Sequence, residues 1–293
     1  MREKIEFAIV KLLLSIAKIL PKSMLYALFK YLTLLVYHID TKRQKLTKLN
    51  LSSVYTNLSQ EDIKHLSKQV YIELSKTITE IVLMFVDRFD IDDAIINKDE
   101  SISKIDELLK QKGDRGLIAM TAHFSNWELL GQFLAKHKLA MLTVGREGNN
   151  QLIEQNITTP LRRKNGNDTV YKKKAMMAMF KKLKQGGNVG ILIDQKAGRK
   201  NSVVVDFMGH RAETTTAVAM LQVKFDALVV PFFVARVSDG KYKLIIKEPI
   251  DKVCDDDTTE CLEKLTLKYN EVMGEVIDEY PSQWFWMHNR WRR

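Results

Sequence analysis

The sequence has no apolar run long enough to cross a bilayer, although its first 40 residues are its most hydrophobic part. Lys11, Lys18 and Lys30 divide this segment into stretches shorter than the roughly 20 apolar residues that a transmembrane helix needs. No small-residue cleavage site follows the segment, which argues against a removable signal peptide. A simple membrane span is therefore not predicted.

Cysteine is scarce, and the motifs of two large hydrolase classes are missing. The only cysteines, Cys254 and Cys261, fit neither a zinc-site nor a redox-motif spacing, so we expect unpaired thiols in a reducing compartment. No histidine pair has the His-x-x-x-His spacing of a zinc hydrolase. No Gly-x-Ser-x-Gly elbow of a serine hydrolase occurs either. The sequence therefore predicts neither a zinc hydrolase nor a Ser-His-Asp hydrolase.

Positive charge is in excess. The chain of 293 residues has 46 Lys and Arg against 36 Asp and Glu, a net charge of +10. This balance indicates a polyanionic partner, which could be nucleic acid, an anionic membrane face or a phosphorylated substrate. Nucleic-acid binding is the main non-enzymatic alternative, since lysines cluster at positions 172–174 and at Lys181, Lys182 and Lys184. Such runs more often form a solvated helix face.

The first 40 residues have the pattern of two amphipathic helices. Lys4, Lys11 and Lys18 are seven residues apart and therefore share one helix face, and Pro21 separates this helix from a second one over residues 24–39. We predict that residues 1–40 form a basic helical anchor at the cytoplasmic leaflet of a membrane. The alternative is a helical hairpin packed on the protein's own core. Residues 41–112 are predicted to form a helical layer without chemistry.

Residues 113–293 alternate between strand and helix patterns. Apolar strands are predicted at residues 117–121, 139–144, 189–193, 227–234 and 242–246. Helices are predicted at about 129–137, 149–163, 174–186, 214–225 and 258–279. This alternation is typical of an α/β fold, and we predict a mixed sheet flanked by helices.

The most informative stretch, Thr121 to Glu128, joins the first predicted strand to a helix. Ser125 and Glu128 have the spacing of a capping box, so the helix is predicted to begin at Ser125. That places His123 in a turn at the carboxyl end of a strand, where sites in α/β sheets usually open. The turn would let Glu128 hold the imidazole in one tautomer, as the carboxylate of a catalytic triad does. Alternatively, Glu128 only caps the helix and His123 is an ordinary turn residue.

The segment from His123 to Glu128 resembles the H-x4-D/E block of the glycerolipid acyltransferase superfamily. It is most similar to the version in the late acyltransferases of bacterial lipid A biosynthesis, the lauroyl and myristoyl transferases. Further similar blocks follow in the family's order: an arginine-rich turn at 162–166, an Asp-Gln pair at 194–195, a Val-x-Phe-Phe-Gly-like segment from residue 205, and the terminal Pro-x-Gln-Trp-x-Trp-x-His signature at 281–288. Two departures are Gln151, where the family has a proline, and Met208, where it has phenylalanine.

The resemblance implies a glycerolipid acyltransferase-like fold, a membrane-anchoring N-terminal segment and a reaction that needs no cofactor. The implied donor is a fatty acyl group on acyl carrier protein, and the implied acceptor is a hydroxyl of the Kdo-bearing lipid A precursor. With these partners, we expect the enzyme on the cytoplasmic side of a bacterial inner membrane, and we expect no nucleic-acid partner.

The resemblance also implies roles for single residues. His123 would be the general base and Glu128 its orienting partner. Arg162, with Arg163 and Arg146 as further candidates, would face the oxyanion or a substrate phosphate. Asp194 would bind or align the acceptor. Since no well-placed nucleophile accompanies His123 and a thioester is already activated, direct transfer to the acceptor is predicted.

Overall fold

Four helices form the first part of the protein. The computed structural model describes residues 1–145, 148–198 and 201–291, without the side chains of residues 172–174. These first helices are α1 (Arg2–Ile19), α2 (Lys22–Ile39), α3 (Thr41–Val54) and α4 (Gln60–Phe85). Pro21 lies between α1 and α2, as predicted, because its ring fixes a backbone angle that suits a helix start and lacks an N–H. Ser59 and Asp62 form a capping box at the start of α4.

The α1–α2 hairpin packs on the protein with one face and exposes the other. Ala17 and Leu25 are buried against Leu83 and Val86 near the end of α4. Arg88 donates hydrogen bonds to two carbonyl oxygens at the end of α1. The opposite face leaves these large apolar residues exposed: Ile5, Ile9, Leu12, Leu13, Ile19, Met24, Leu28, Tyr31, Leu32, Leu35, Val36 and Ile39. Within the described residues, no helix is both long and apolar enough to traverse a bilayer.

A six-stranded mixed sheet forms the centre of the molecule. Its order is β3-β2-β4-β1-β7-β8, and only the β7–β8 pairing is antiparallel. The strands are β1 (Leu117–Thr121), β2 (Leu142–Gly145), β3 (Asp168–Tyr171), β4 (Asn188–Leu192), β7 (Leu228–Ser238) and β8 (Lys241–Ile246). The predicted α/β fold with a mixed sheet and flanking helices is therefore confirmed. The edge strand β3 was not predicted, since Asp-Thr-Val-Tyr is short and has too few apolar residues to stand out.

Helices cover both faces of the sheet. Ile118 and Met120 of β1 point into one hydrophobic core, whereas Leu117 and Ala119 point into the other. The helices that precede, connect or follow the strands are α5 (Ile91–Ala94), α6 (Lys98–Lys112), α7 (Trp127–Lys136), α8 (Gln151–Ile153), α9 (Thr159–Arg163), α10 (Lys172–Lys184), α11 (Ala217–Phe225) and α12 (Thr259–Glu279). A π-helical turn, Glu154–Thr158, connects α8 to α9, so the single helix predicted at 149–163 is irregular.

A separate β-hairpin lies beside the sheet. β5 (Ser202–Phe207) and β6 (His210–Thr215) pair antiparallel through a two-residue turn. Met208 and Gly209 both have positive φ, 53° and 79°, as hairpin turns of two residues require. The hairpin packs against α12 and places Phe207 in the core.

The two cysteines are paired, so the prediction of free thiols was wrong. A disulfide joins Cys254 to Cys261, whose Cα atoms are 6.0 Å apart. It links the loop after β8 to the first turn of α12, where Thr258 caps the helix by accepting from the backbone N–H of Cys261. The spacing rules did not indicate the pair because the loop, and not a motif, brings the two residues together.

Candidate active site

The turn that carries His123 differs from the prediction in its cap. Asn126, and not Ser125, is the N-cap of α7, and its side-chain oxygen accepts from the backbone N–H of Leu129 at 3.0 Å. Ser125 has a φ of 49°, which turns the chain between strand and helix. Thr77 donates to the Ser125 carbonyl at 3.2 Å, and the fully buried Glu80 accepts from the Asn126 amide at 3.2 Å. The turn is therefore held from behind by α4.

The imidazole of His123 is bound by Asp194. Its Nδ1 lies 2.9 Å from Asp194 Oδ1, and the aspartate side chain is only 2% exposed. The sheet brings the two together: Thr121 of β1 pairs with Leu192 of β4 in parallel register, and each functional residue follows two positions later. The prediction that Glu128 holds the imidazole was wrong, because the carboxyl end of the neighbouring strand supplies the carboxylate.

The C-terminal segment completes the site. Trp284 Nε1 donates to the second oxygen of Asp194 at 2.9 Å. Residues 283–285 run antiparallel to the His123 turn, with Ser125 N donating to the Gln283 carbonyl at 2.7 Å and Phe285 N donating to the His123 carbonyl at 3.1 Å. Sequence reasoning noted this segment only as part of a resemblance and gave Trp284 no role.

The electrostatics of the pair favour an ionised Asp194. Burial raises the pKa of this carboxyl, but the charge and hydrogen bonds of His123 and the hydrogen bond of Trp284 outweigh burial and hold it below its usual value. Burial lowers the pKa of His123, yet the charge and hydrogen bond of Asp194, followed by the charge of Glu128, raise it overall. An ionised carboxylate can only accept, so Nδ1 carries a proton, and in the neutral imidazole Nε2 is left with a free lone pair. The arrangement is that of a histidine base with its carboxylate.

Glu128 binds an arginine. Its Oε1 accepts from Arg162 at 2.9 Å, and the side chains are 20% and 26% exposed. A second carboxylate, that of the nearly buried Glu154, lies 3.9 Å from the same guanidinium. Burial lowers the pKa of Arg162, but the charges of Glu128 and Glu154 raise it overall. The motif's acidic residue therefore positions Arg162 and contributes its negative charge to the surroundings of His123.

The other predicted arginines are not brought to His123 by the described geometry. Arg163 points to the sheet edge, where it makes two hydrogen bonds to Asp168 at 2.7 and 3.1 Å, and more than half of each side chain is exposed. The predicted role of Arg163 at an oxyanion is thus not supported. Arg146 lies outside the described residues.

A narrow cleft opens beside His123. Its apolar lining comes from α4, from the His123 turn and from the C-terminal segment, and consists of Val70, Leu74, Trp127, Phe285 and Met287. The rings of Trp127 and Phe285 flank the imidazole, with centroids at 5.2 and 6.4 Å. The imidazole therefore borders a cleft whose lining also includes polar residues such as Glu73, Thr77 and Gln283.

Comparison with known proteins gives one result that covers the whole sequence. The family model of bacterial lipid A biosynthesis acyltransferases matches residues 1–293. The chain belongs to this family. No curated protein matches the sequence. The family identifies the chain as an acyltransferase of lipid A biosynthesis and accounts for the ordered blocks between His123 and the terminal signature.

One further charged residue of this acyltransferase was missed by sequence reasoning. Arg290 is fully buried and donates to the Glu213 carbonyl at 2.8 Å and to Thr214 Oγ1 at 2.5 Å. Burial lowers its pKa to about 10, although the charge of Asp194 acts in the opposite direction. A positive charge beneath the active-site aspartate helps to keep that carboxylate ionised.

Arg162 gives a testable prediction with a neighbouring control. If Arg162 stabilises charge that develops during acyl transfer, Arg162→Ala should lower kcat by roughly 10²-fold, as loss of an oxyanion donor does. Arg163→Ala is the control, because it removes the same group one position along the chain, where it only pairs with exposed Asp168. Steady-state kinetics with both variants provide the measurement. A change confined to KM in Arg162→Ala would assign the residue to substrate binding instead.

Proposed function

We propose that this acyltransferase moves a fatty acyl chain, of the lauroyl or myristoyl kind, from acyl carrier protein to a hydroxyl of the Kdo-bearing lipid A precursor. The observation that carries the proposal is the His123–Asp194 pair, which leaves Nε2 of the neutral imidazole as a base beside a cleft that is partly lined by apolar side chains. The family membership supports the reaction class and a lipid A-type substrate.

The proposed reaction is a direct transfer. Nε2 of His123 takes the proton of the acceptor hydroxyl while the oxygen attacks the thioester carbonyl. The tetrahedral intermediate collapses, the carbon–sulfur bond breaks, and the leaving thiolate takes the proton from the imidazolium. Asp194 stabilises that imidazolium by hydrogen bond and charge. The Arg162 guanidinium, fixed by Glu128, is our candidate for stabilising the oxyanion or binding a substrate phosphate.

The substrates favour a location at the cytoplasmic side of the bacterial inner membrane. The exposed apolar face of α1 and α2 offers a surface that can enter the interfacial layer without a span. The lysines of this hairpin would meet anionic lipid. The net charge of +10 also suits an acidic carrier protein and a phosphorylated acceptor.

A deletion strain tests the proposed function. Mass spectrometry should show that lipid A from a strain lacking this protein has lost one secondary acyl chain. The wild-type gene should restore that chain, and the full-length protein should sediment with the inner membrane. The His123→Ala variant should sediment there too without restoring the chain. Unchanged lipid A, accompanied by the loss of an acyl chain from another lipid, would contradict the proposed acceptor.

A further inference from the structure

Helix α3 carries a cluster of positive charge that the carboxylate of its N-cap residue, Asp40, offsets only in part. The sequence of α3 contains four cations and no acidic residue. Lys42, Arg43 and Lys45 are exposed and Lys48 is half-buried. Among the described residues, none of the four makes an ion pair with a carboxylate, whereas some exposed lysines elsewhere do, such as Lys138 with Asp106. An excess of charge of one sign on one helix indicates a partner of the opposite sign.

The cluster continues the apolar face of α2. Val36 and Ile39, in the last turn of α2, are 52% and 70% exposed. Lys42 is only three positions after Ile39, so their Cα atoms are at most about 11 Å apart. Leu49 adds an apolar side chain that is 60% exposed within α3 itself. Apolar side chains bordered by cations fit the surface of an anionic bilayer, where tails and phosphates lie within a similar distance.

The same helix is fastened to the segment that lines the active site. Arg43 donates to the carbonyl of Met287 at 2.9 Å, and Asn50 donates to the carbonyls of Trp286 and His288 at 2.8 and 2.9 Å. Met287 is part of the cleft beside His123. Charge attraction at α3 would therefore fix the height of the cleft above the lipid headgroups.

We propose that the exposed cations of α3 dock the enzyme on the phosphate headgroups of an anionic bilayer. The inference rests on the membrane location of the proposed function and adds the surface that sets the orientation. The apolar face of α1 and α2 gives affinity for any bilayer, and α3 makes the affinity depend on anionic lipid and on salt.

Vesicle flotation of the full-length protein tests the docking. Lys42→Gln/Lys45→Gln/Lys48→Gln removes three charges and leaves the Arg43–Met287 contact in place. Its partition onto phosphatidylglycerol-containing vesicles should fall roughly 10²-fold, since each lysine near an anionic surface contributes about a factor of five or more. Partition onto pure phosphatidylcholine vesicles should stay unchanged. The corresponding triple Lys→Arg variant should bind as the wild type does.

A matched control distinguishes the effect of the charge on α3 from the effect of the protein's net charge. Lys110→Gln/Lys243→Gln/Lys268→Gln removes three exposed lysines that make no ion pair within the described part of the chain, and its partition should fall less than tenfold. Equal losses in both triples would overturn the docking surface. The docking surface would also be overturned if the α3 variant bound anionic vesicles as the wild type does. This holds even if the variant had lost binding to acyl carrier protein or to the lipid A precursor in neutral vesicles. Flotation requires no acyl transfer, so the two proposals can fail separately. If the deletion strain had unchanged lipid A while vesicle binding depended on the α3 lysines, the proposed function would be refuted and the docking would stand.

Discussion

Asp194→Asn should lower kcat by roughly 10³-fold or more, because the amide cannot hold His123 in the required tautomer or stabilise its charged form. Asparagine keeps the size of aspartate and can still accept from Trp284, so the fold around the site should persist. Glu128→Gln is the matched control, since it removes one carboxylate charge from the same site without touching the Nδ1 hydrogen bond. It should cost less than Asp194→Asn. If Glu128→Gln lowered kcat more than Asp194→Asn, Glu128 and not Asp194 would be the residue that orients His123.

The same variant should change the pH dependence of the reaction. The charge of Asp194 is the main influence that raises the pKa of His123 against the effect of burial. Without that charge the pKa falls, so the base becomes neutral at lower pH and the acidic limb of the kcat/KM profile shifts to lower pH. An acidic limb at the wild-type position would mean that His123 is not the group that titrates.

His123→Ala should reduce acyl transfer by roughly 10⁴-fold while the protein remains folded, because the proposed mechanism assigns removal of the hydroxyl proton to this imidazole. The direct mechanism makes a second claim: no acyl-enzyme forms. Ser125 is buried within the His123 turn, where its positive φ redirects the chain, and both cysteines are held in a disulfide. Incubation with radiolabelled acyl donor and no acceptor, followed by denaturation, should leave the protein unlabelled.

A covalent label on Ser125 would overturn direct transfer if acceptor released it at a rate that matches turnover. Ser125→Ala distinguishes the two routes further. Under direct transfer it should retain most of the activity, because the serine hydroxyl takes no part. Under the covalent route it should be as inactive as His123→Ala.

Several features of the fold could be predicted because they depend on local pattern. β1 was predicted with its observed bounds, because four consecutive apolar residues after two glycines form a clear strand pattern. The boundary at Pro21 and the position of His123 beyond β1 followed from equally local signals. β3 could not be predicted in the same way, because an edge strand with polar residues forms only when β2 is present to pair with it.

The site was harder to predict because its pairings join distant parts of the chain. Spacing along the chain suggested Glu128 as the partner of His123. In the structure, the register of β1 and β4 places Asp194 in contact with the imidazole instead. A rule for adjacent parallel strands could have found this pair. Nothing comparable indicates that Trp284 binds Asp194, because the C-terminal segment reaches the site through α12 and not through the sheet.

The position of Trp284 has a consequence for biosynthesis. During translation, the α1–α2 hairpin and the turn with His123 leave the ribosome long before residues 283–285 are made. At about 5–20 residues per second, the delay between His123 and Trp284 is roughly 8 to 30 s. Until then Asp194 lacks its indole donor and the His123 turn lacks its antiparallel neighbour. At the proposed membrane location, a nascent chain would therefore reach the lipid surface before its active site is complete, and an interrupted chain would leave an inactive fragment there.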